Sequence, residues 1–209
     1  MEIFRRTTLL ASFAGAVLAA VALGCGNPTA ERPAAAEANS PLATNLALLD
    51  AQGHAANPFS DSGAKATVFI FVSTDCPISN RYAPEIRRLR SRFEAEGIRF
   101  HLVYPNGDET PDSIRQHLAD YQLDLPALRD PAHALVRHAG VKVTPEAAVF
   151  ASPNKLIYRG RIDDRNVDFG KTRTEPTRRD LQEVLESIVA GNPPSPRSTP
   201  AIGCYIASP

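Results

Sequence analysis

Cys76 stands two residues, Thr74 and Asp75, beyond a continuous apolar and β-branched run, Thr67-Val68-Phe69-Ile70-Phe71-Val72-Ser73, and directly before Pro77. A buried strand, then a cysteine, then a proline places a sulfur at the start of a helix. There, backbone N–H groups and the helix dipole stabilise a thiolate. Proline fits the first helical position because its missing N–H would have had no intrahelical partner. The chemistry is that of a nucleophile, a thiolate attacking another sulfur. A cysteine that merely fills space in a core is the alternative use of this residue type, and Pro77 favours the reactive one. Asp75 either caps the helix or, with its charge close to the sulfur, raises the thiol pKa.

The chain has two other cysteines, Cys25 and Cys204. Arg5-Arg6, then an apolar run of about 15 residues from Leu9 to Leu23, is too short for a span of ~20 residues and right for a signal-peptide core. The ending Ala22-Leu23-Gly24-Cys25 resembles a bacterial lipoprotein cleavage site, with Cys25 lipidated as the new N-terminus; plain cleavage or a retained anchor are the alternatives. Residues 1–25 are therefore read as a signal peptide. Residues 26–43, rich in alanine, proline and glutamate, form a flexible tether. In an exported protein disulfides persist, and Cys76 and Cys204 remain as one possible pair. Their separation of roughly 128 residues is no obstacle, since each doubling of loop length costs only about 0.6 kcal/mol in closure. Cys204 sits in an apolar cluster, Ile202 to Ile206, beyond a Pro/Ser-rich tail that begins at residue 192. Pairing with a second chain, or a free thiol, are its other fates.

The elements that must position these sulfurs follow from periodicity. Thr67 to Ser73 has the composition of a strand buried on both faces. Tyr82, Ile86, Leu89 and Phe93 share one face of a helix over 79–95 that Pro84 kinks or restarts. Ile98 to Tyr104 is a second strand. Helices are expected over 108–122 and 131–139, a hairpin over 147–160 turning at Pro153-Asn154, and a last helix over 175–190 capped by Thr177. Lysines plus arginines number 23, as do the acidic residues, so no net charge draws the chain onto nucleic acid. His54, His101, His117, His133 and His138 show no metal-ligand spacing and read as surface or helix residues, and no cofactor is called for. Arg161, Asp163, Asp164 and Arg165 read as a solvated turn.

Phe71-Val72-Ser73-Thr74-Asp75-Cys76-Pro77-Ile78-Ser79, with Val143-Thr144-Pro145-Glu146 some way downstream and a strand after it, resembles the thioredoxin superfamily. Asp75 to Tyr82 and Arg161-Ile162-Asp163-Asp164-Arg165 resemble more narrowly its redoxin group, related to alkyl hydroperoxide reductase and thiol-specific antioxidant proteins. The resemblance implies an α/β, thioredoxin-like domain over residues 44–191, a central mixed sheet flanked by helices. It makes Cys76 the redox cysteine, with Pro145 cis and the Thr144 backbone free to pair with an extended substrate. Pro77, Thr144 and Pro145 would bind substrate, with Thr74 and Ser79 auxiliary. Two departures shape the activity. Ser79 replaces the second cysteine of Cys-x-x-Cys, so no disulfide forms within the motif, although Ser79 could hydrogen-bond a thiolate. A peroxidase would carry proline where Phe69 stands and arginine near Thr144-Pro145, which demotes a one-cysteine peroxidase. The expectation is a thiol–disulfide oxidoreductase of the cell envelope, lipid-anchored through Cys25 and facing the periplasm, acting on protein thiols or disulfides through Cys76 with Cys204 resolving. A non-catalytic binding module stapled by a Cys76–Cys204 bond is the alternative.

Overall fold

The computed structural model describes residues 46–60 and 63–207; the expected signal peptide (1–25) and tether (26–43), Cys25 included, lie wholly outside them. The fold is α/β and thioredoxin-like. Its elements are strands β1 (Leu48–Asp50), β2 (Ala55–Ala56) and β3 (Ala66–Phe71), helices α1 (Pro77–Arg81) and α2 (Ala83–Phe93), a 3-10 turn (Glu94–Glu96), strand β4 (Ile98–Tyr104), helix α3 (Pro111–Asp120), strand β5 (Ala127–Arg129) and helix α4 (Ala134–Ala139). Strands β6 (Val143–Thr144), β7 (Glu146–Ala151), β8 (Lys155–Gly160), β9 (Asn166–Asp168) and β10 (Lys171–Thr172), helix α5 (Asp180–Val189) and strands β11 (Arg197–Ser198) and β12 (Cys204–Tyr205) complete it.

Every residue of β3 is buried, as its unbroken apolar run requires of a strand covered on both faces. It lies mid-sheet, parallel to β4 and antiparallel to β7, in an eight-stranded order β11-β8-β7-β3-β4-β5-β1-β2. Alternation along β3 divides the core. Val68 and Ile70 join Ile86, Leu89 and Phe93 of α2 and Leu181, Val184, Leu185 and Ile188 of α5, whereas Phe69 and Phe71 join Leu135, Val136 and Ala139 of α4. The helix after β3 breaks at Tyr82 and restarts with Pro84 in its first turn, because proline has no N–H to continue the ladder.

The expected elements shift in several places, α4 among them, which starts at Ala134 and not at Pro131. α3 starts later than expected, with Thr110 as its cap accepting from the Ser113 N–H at 3.1 Å. α5 begins at Asp180 and Thr177 does not cap it; the Thr177 hydroxyl and N–H are taken by the Asp164 carboxylate instead. Strand β5, only three residues long and lacking a long apolar run, was not anticipated. Beyond α5 the chain is part of the sheet system: β11 runs parallel to β8, and β12 pairs antiparallel with β6. This return passes Gly160, whose φ of 149° is a glycine conformation and where a Cβ would lie 2.2 Å from the Thr199 hydroxyl. The fully buried Tyr158 donates to the Arg161 carbonyl at 2.6 Å, so the Thr199 hydroxyl donates to the Tyr158 oxygen at 2.7 Å while accepting from the Arg161 N–H. One proton per hydroxyl satisfies all three contacts.

Candidate active site

Cys76 follows β3 after four residues, Val72 to Asp75, the last two in a turn, and caps α1. Its backbone is extended, with φ −82° and ψ 107°, and its sulfur accepts from the Ser79 N–H at 3.5 Å, with Pro77 as the first helical residue. The residue is 1% exposed. Across from it β6 ends in Thr144, whose carbonyl lies 3.1 Å from the sulfur, and the Thr144–Pro145 bond is cis. Buried Glu146 fixes the approach to this turn by accepting from the Lys142 N–H at 2.9 Å.

The other edge of β6 is occupied by the chain's own tail. Cys204 pairs with Thr144 and Tyr205 with Val143, which sets the Cys204 sulfur 2.7 Å from that of Cys76. Both are free thiols in this structure, and a small movement of either side chain reaches the bond length of about 2.05 Å. A cleft of about 540 Å³ opens beside them, bounded by Ser73, Asp75, Asn106, His133, Thr144 and Cys204.

The two sulfurs are electrostatically unequal. Burial pushes the Cys76 thiol up, but hydrogen bonds from the Cys204 thiol and from Ser79 outweigh it and hold Cys76 below the ordinary thiol value. Cys204 is pushed up to about 12, first by burial, then by its bond to Cys76 and by the negative charge of Cys76 and Asp75. Of the two sulfurs, Cys76 gives up its proton the more readily and Cys204 keeps its own. Asp75 accordingly bears on Cys204; its carboxylate accepts from the Ser73 hydroxyl.

The redoxin family profile matches residues 35–175. The chain belongs to the redoxin family. Among solved structures this redoxin is similar to an uncharacterised conserved protein of Geobacillus kaustophilus, at 22% identity and a TM-score of 0.68 over 78% of this chain and 88% of that one. A hypothetical protein of Sinorhizobium meliloti 1021 matches at 22% identity and a TM-score of 0.65 over 80% and 95%. The thioredoxin domain of a thiol–disulfide oxidoreductase from Bacteroides vulgatus matches at 13% identity and a TM-score of 0.50 over 72% and 99%. No curated protein sequence matches the chain.

Several groups that shape the redoxin site escape a reading of the sequence. Glu109, 4% exposed, accepts from the Thr74 N–H at 2.7 Å and the Asn106 N–H at 3.2 Å, tying the Cys76 loop to the loop after β4. Asn106 in turn donates to the Ser73 hydroxyl at 3.1 Å. His117 lies on helix α3 and is buried there: it bonds Tyr104 at 2.8 Å and Asn80 at 2.9 Å, and Asn80 donates to the Thr74 carbonyl at 3.3 Å. His133 is buried too, held to the Pro105 carbonyl at 2.9 Å. Among the described residues no cluster of His, Cys, Asp and Glu is placed to hold a metal ion. Ser79 reaches Cys76 through its N–H; its hydroxyl is buried without a hydrogen bond, a spare donor for a thiolate.

Residues 161–165 are not a solvated turn. Asp163 accepts from the Tyr82 hydroxyl at 2.5 Å, Arg161 meets the buried Asp180 at 2.7 Å, and Asp164 binds Thr177 and the Arg178 N–H. Arg161, Asp163 and Asp164 looked solvent-bound because their partners come from other parts of the chain. These residues lock α2 and α5 to the sheet.

Proposed function

We propose that this redoxin is a thiol–disulfide oxidoreductase in which Cys76 attacks and Cys204 resolves. The observation that carries the reading is the 2.7 Å approach of two sulfurs with opposite protonation preferences. The Cys76 thiolate attacks one sulfur of a substrate disulfide. A mixed disulfide forms and the substrate's other sulfur leaves as a thiolate, taking up a proton. The Cys204 thiol loses its proton to solvent and attacks the Cys76 sulfur. The second substrate thiolate departs and a Cys76–Cys204 disulfide remains, so the substrate gains two electrons and the enzyme gives up two. An external dithiol returns the enzyme to its starting state. Pro77 and Ser79 set and stabilise the nucleophile, Thr74 anchors its loop, and Thr144 and Pro145 present the backbone facing it. The structural similarity to the Bacteroides oxidoreductase domain is consistent with this chemistry.

The same reading places the enzyme in the cell envelope, held by a lipid on Cys25 through the tether 26–43, with the redoxin domain over 44–191 and the Cys204 tail over 192–209. Among the described residues no helix is long and apolar enough to cross a membrane. Mass spectrometry of the membrane-extracted protein, finding or not finding a diacylglyceryl group on an N-terminal Cys25, decides the anchor. Titration against graded thiol buffers decides the chemistry. A Cys76–Cys204 bond that reduces near about −200 mV is exchange-active. One that resists reduction below about −300 mV is a structural staple and makes the domain a binding module.

A further inference from the structure

We infer that residues 202–206 are a built-in copy of the substrate strand, and that the site selects an extended protein segment of the pattern apolar, glycine, cysteine, any residue, apolar. The inference rests on the oxidoreductase reading above and specifies its substrate class.

A sulfur that Cys76 attacks must arrive where the Cys204 sulfur now lies, beside the edge of β6 that the tail covers. A segment delivering it by pairing with that edge meets the limits the tail meets, and these differ residue by residue. Gly203 precedes the cysteine. A Cβ there would lie 2.1 Å from the Thr144 carbonyl oxygen and 2.6 Å from its carbon, both backbone atoms that cannot swing away. Gly203 is not among the residues with positive φ, so this position demands empty space and not a special backbone conformation. Tyr205, after the cysteine, is 80% exposed, so that position selects nothing. Ile202 packs against the core cluster that contains Cys76, and Ile206 against the cluster on the sheet's other face. The Ile206 N–H also donates to the Lys142 carbonyl at 3.1 Å, extending the pairing past the cysteine.

The tail and the substrate strand therefore compete for one lane. Thr199 holds the tail's base to Tyr158 and Arg161, so only the residues beyond it swing out. The substrate strand enters, and the Cys76 thiolate takes its cysteine sulfur while the partner sulfur leaves as a thiolate. The returning tail brings the Cys204 thiolate onto the Cys76 sulfur and expels the substrate cysteine as a second thiolate. Resolution and product release are one strand exchange.

The test uses the full-length protein, reduced, and synthetic pentapeptides carrying cysteine as a mixed disulfide with thionitrobenzoate, whose release is followed by absorbance. The set is Ile-Gly-Cys-Tyr-Ile, Ile-Ala-Cys-Tyr-Ile and Ser-Gly-Cys-Tyr-Ser. The glycine peptide with isoleucine ends is expected to react at least tenfold faster than the alanine peptide and several-fold faster than the serine-flanked one. In Gly203→Val, whose side chain drives the tail from the lane, rates rise several-fold and the order is kept. Equal rates for the glycine and alanine peptides, with Cys76 still reacting, overturn the inference and leave the oxidoreductase standing. No thionitrobenzoate release from any peptide overturns both.

Discussion

Replacing Glu109 by alanine tests whether the Cys76 loop is held by one buried carboxylate. The substitution strips two backbone N–H groups, Thr74 and Asn106, of their shared acceptor. Hydrogen bonds to a charged group contribute about 1.5–3 kcal/mol each, and two give roughly 3–6 kcal/mol. Burial of the carboxylate offsets part of this: it raises the Glu109 pKa, against the pull of the Thr74 and Asn106 bonds. About 3 kcal/mol remains at pH 7. For an m-value of about 2 kcal/mol per molar, the urea midpoint falls by roughly 1.5 M. The pH dependence has a definite sign. A group whose pKa is raised on folding contributes most below its unfolded value, about 4.3 for glutamate, and progressively less as pH rises through the raised value. The gap between wild type and Glu109→Ala is therefore wider at pH 5 than at pH 7.5. Urea unfolding followed by circular dichroism at the two pH values measures both. Glu109→Gln, which keeps one acceptor, falls between. A loss below 1 kcal/mol, or a gap that ignores pH, refutes the claim that this carboxylate pins the loop.

Asp164 gives a prediction of opposite sign. Burial alone would raise its pKa, but bonds from Thr177 and the Arg178 N–H, and the Arg173 charge, hold it at about 2. Its stabilisation is present above the unfolded value of about 3.9 and is lost as pH falls towards 2. Asp164→Asn should flatten the acid limb of stability between those values, and an unchanged limb in urea titrations would count against the assignment. Cys204→Ala removes a hydrogen bond that lowers the Cys76 pKa, so the thiolate absorbance of Cys76 should titrate at higher pH in the variant; an equal or lower midpoint contradicts the donor role of Cys204.

What the sequence makes legible is whatever depends on neighbours along the chain. β3 is readable because seven apolar or β-branched residues run together, and the restart at Pro84 because proline forbids one particular hydrogen bond. The strand-to-helix order around Cys76 is readable for the same local reasons. Glu109, His117 and Asp164 are different: polar residues become buried only when a loop or helix far away supplies their partners, and nothing within a few positions announces it. Thr177 illustrates the competition. Its sequence position suits a helix cap, yet the Asp164 carboxylate claims both its hydroxyl and its N–H. The tail is a mixed case. Its apolar cluster around Cys204 is visible as sequence, but the lane it fills exists only once β6 is placed. Gly203 carries no signal until the Thr144 carbonyl is beside it.

The position of β3 between β4 and β7 also governs when the chemistry begins. Ala66 pairs with Ile98 on one side but with Ala151 on the other, so the middle of the sheet closes through contacts far apart in sequence, the kind that slow folding. Cys76 hangs from the end of that strand, and the Thr144 backbone that faces it leads directly into β7. Until β7 docks, the sulfur has only its own helix's Ser79 N–H beside it and lacks the Thr144 backbone and the Cys204 thiol that β6 positions. Reactivity is thus a late property of the folding chain, and in a refolding time course the fast-reacting Cys76 thiolate should emerge together with the sheet signal and not before it.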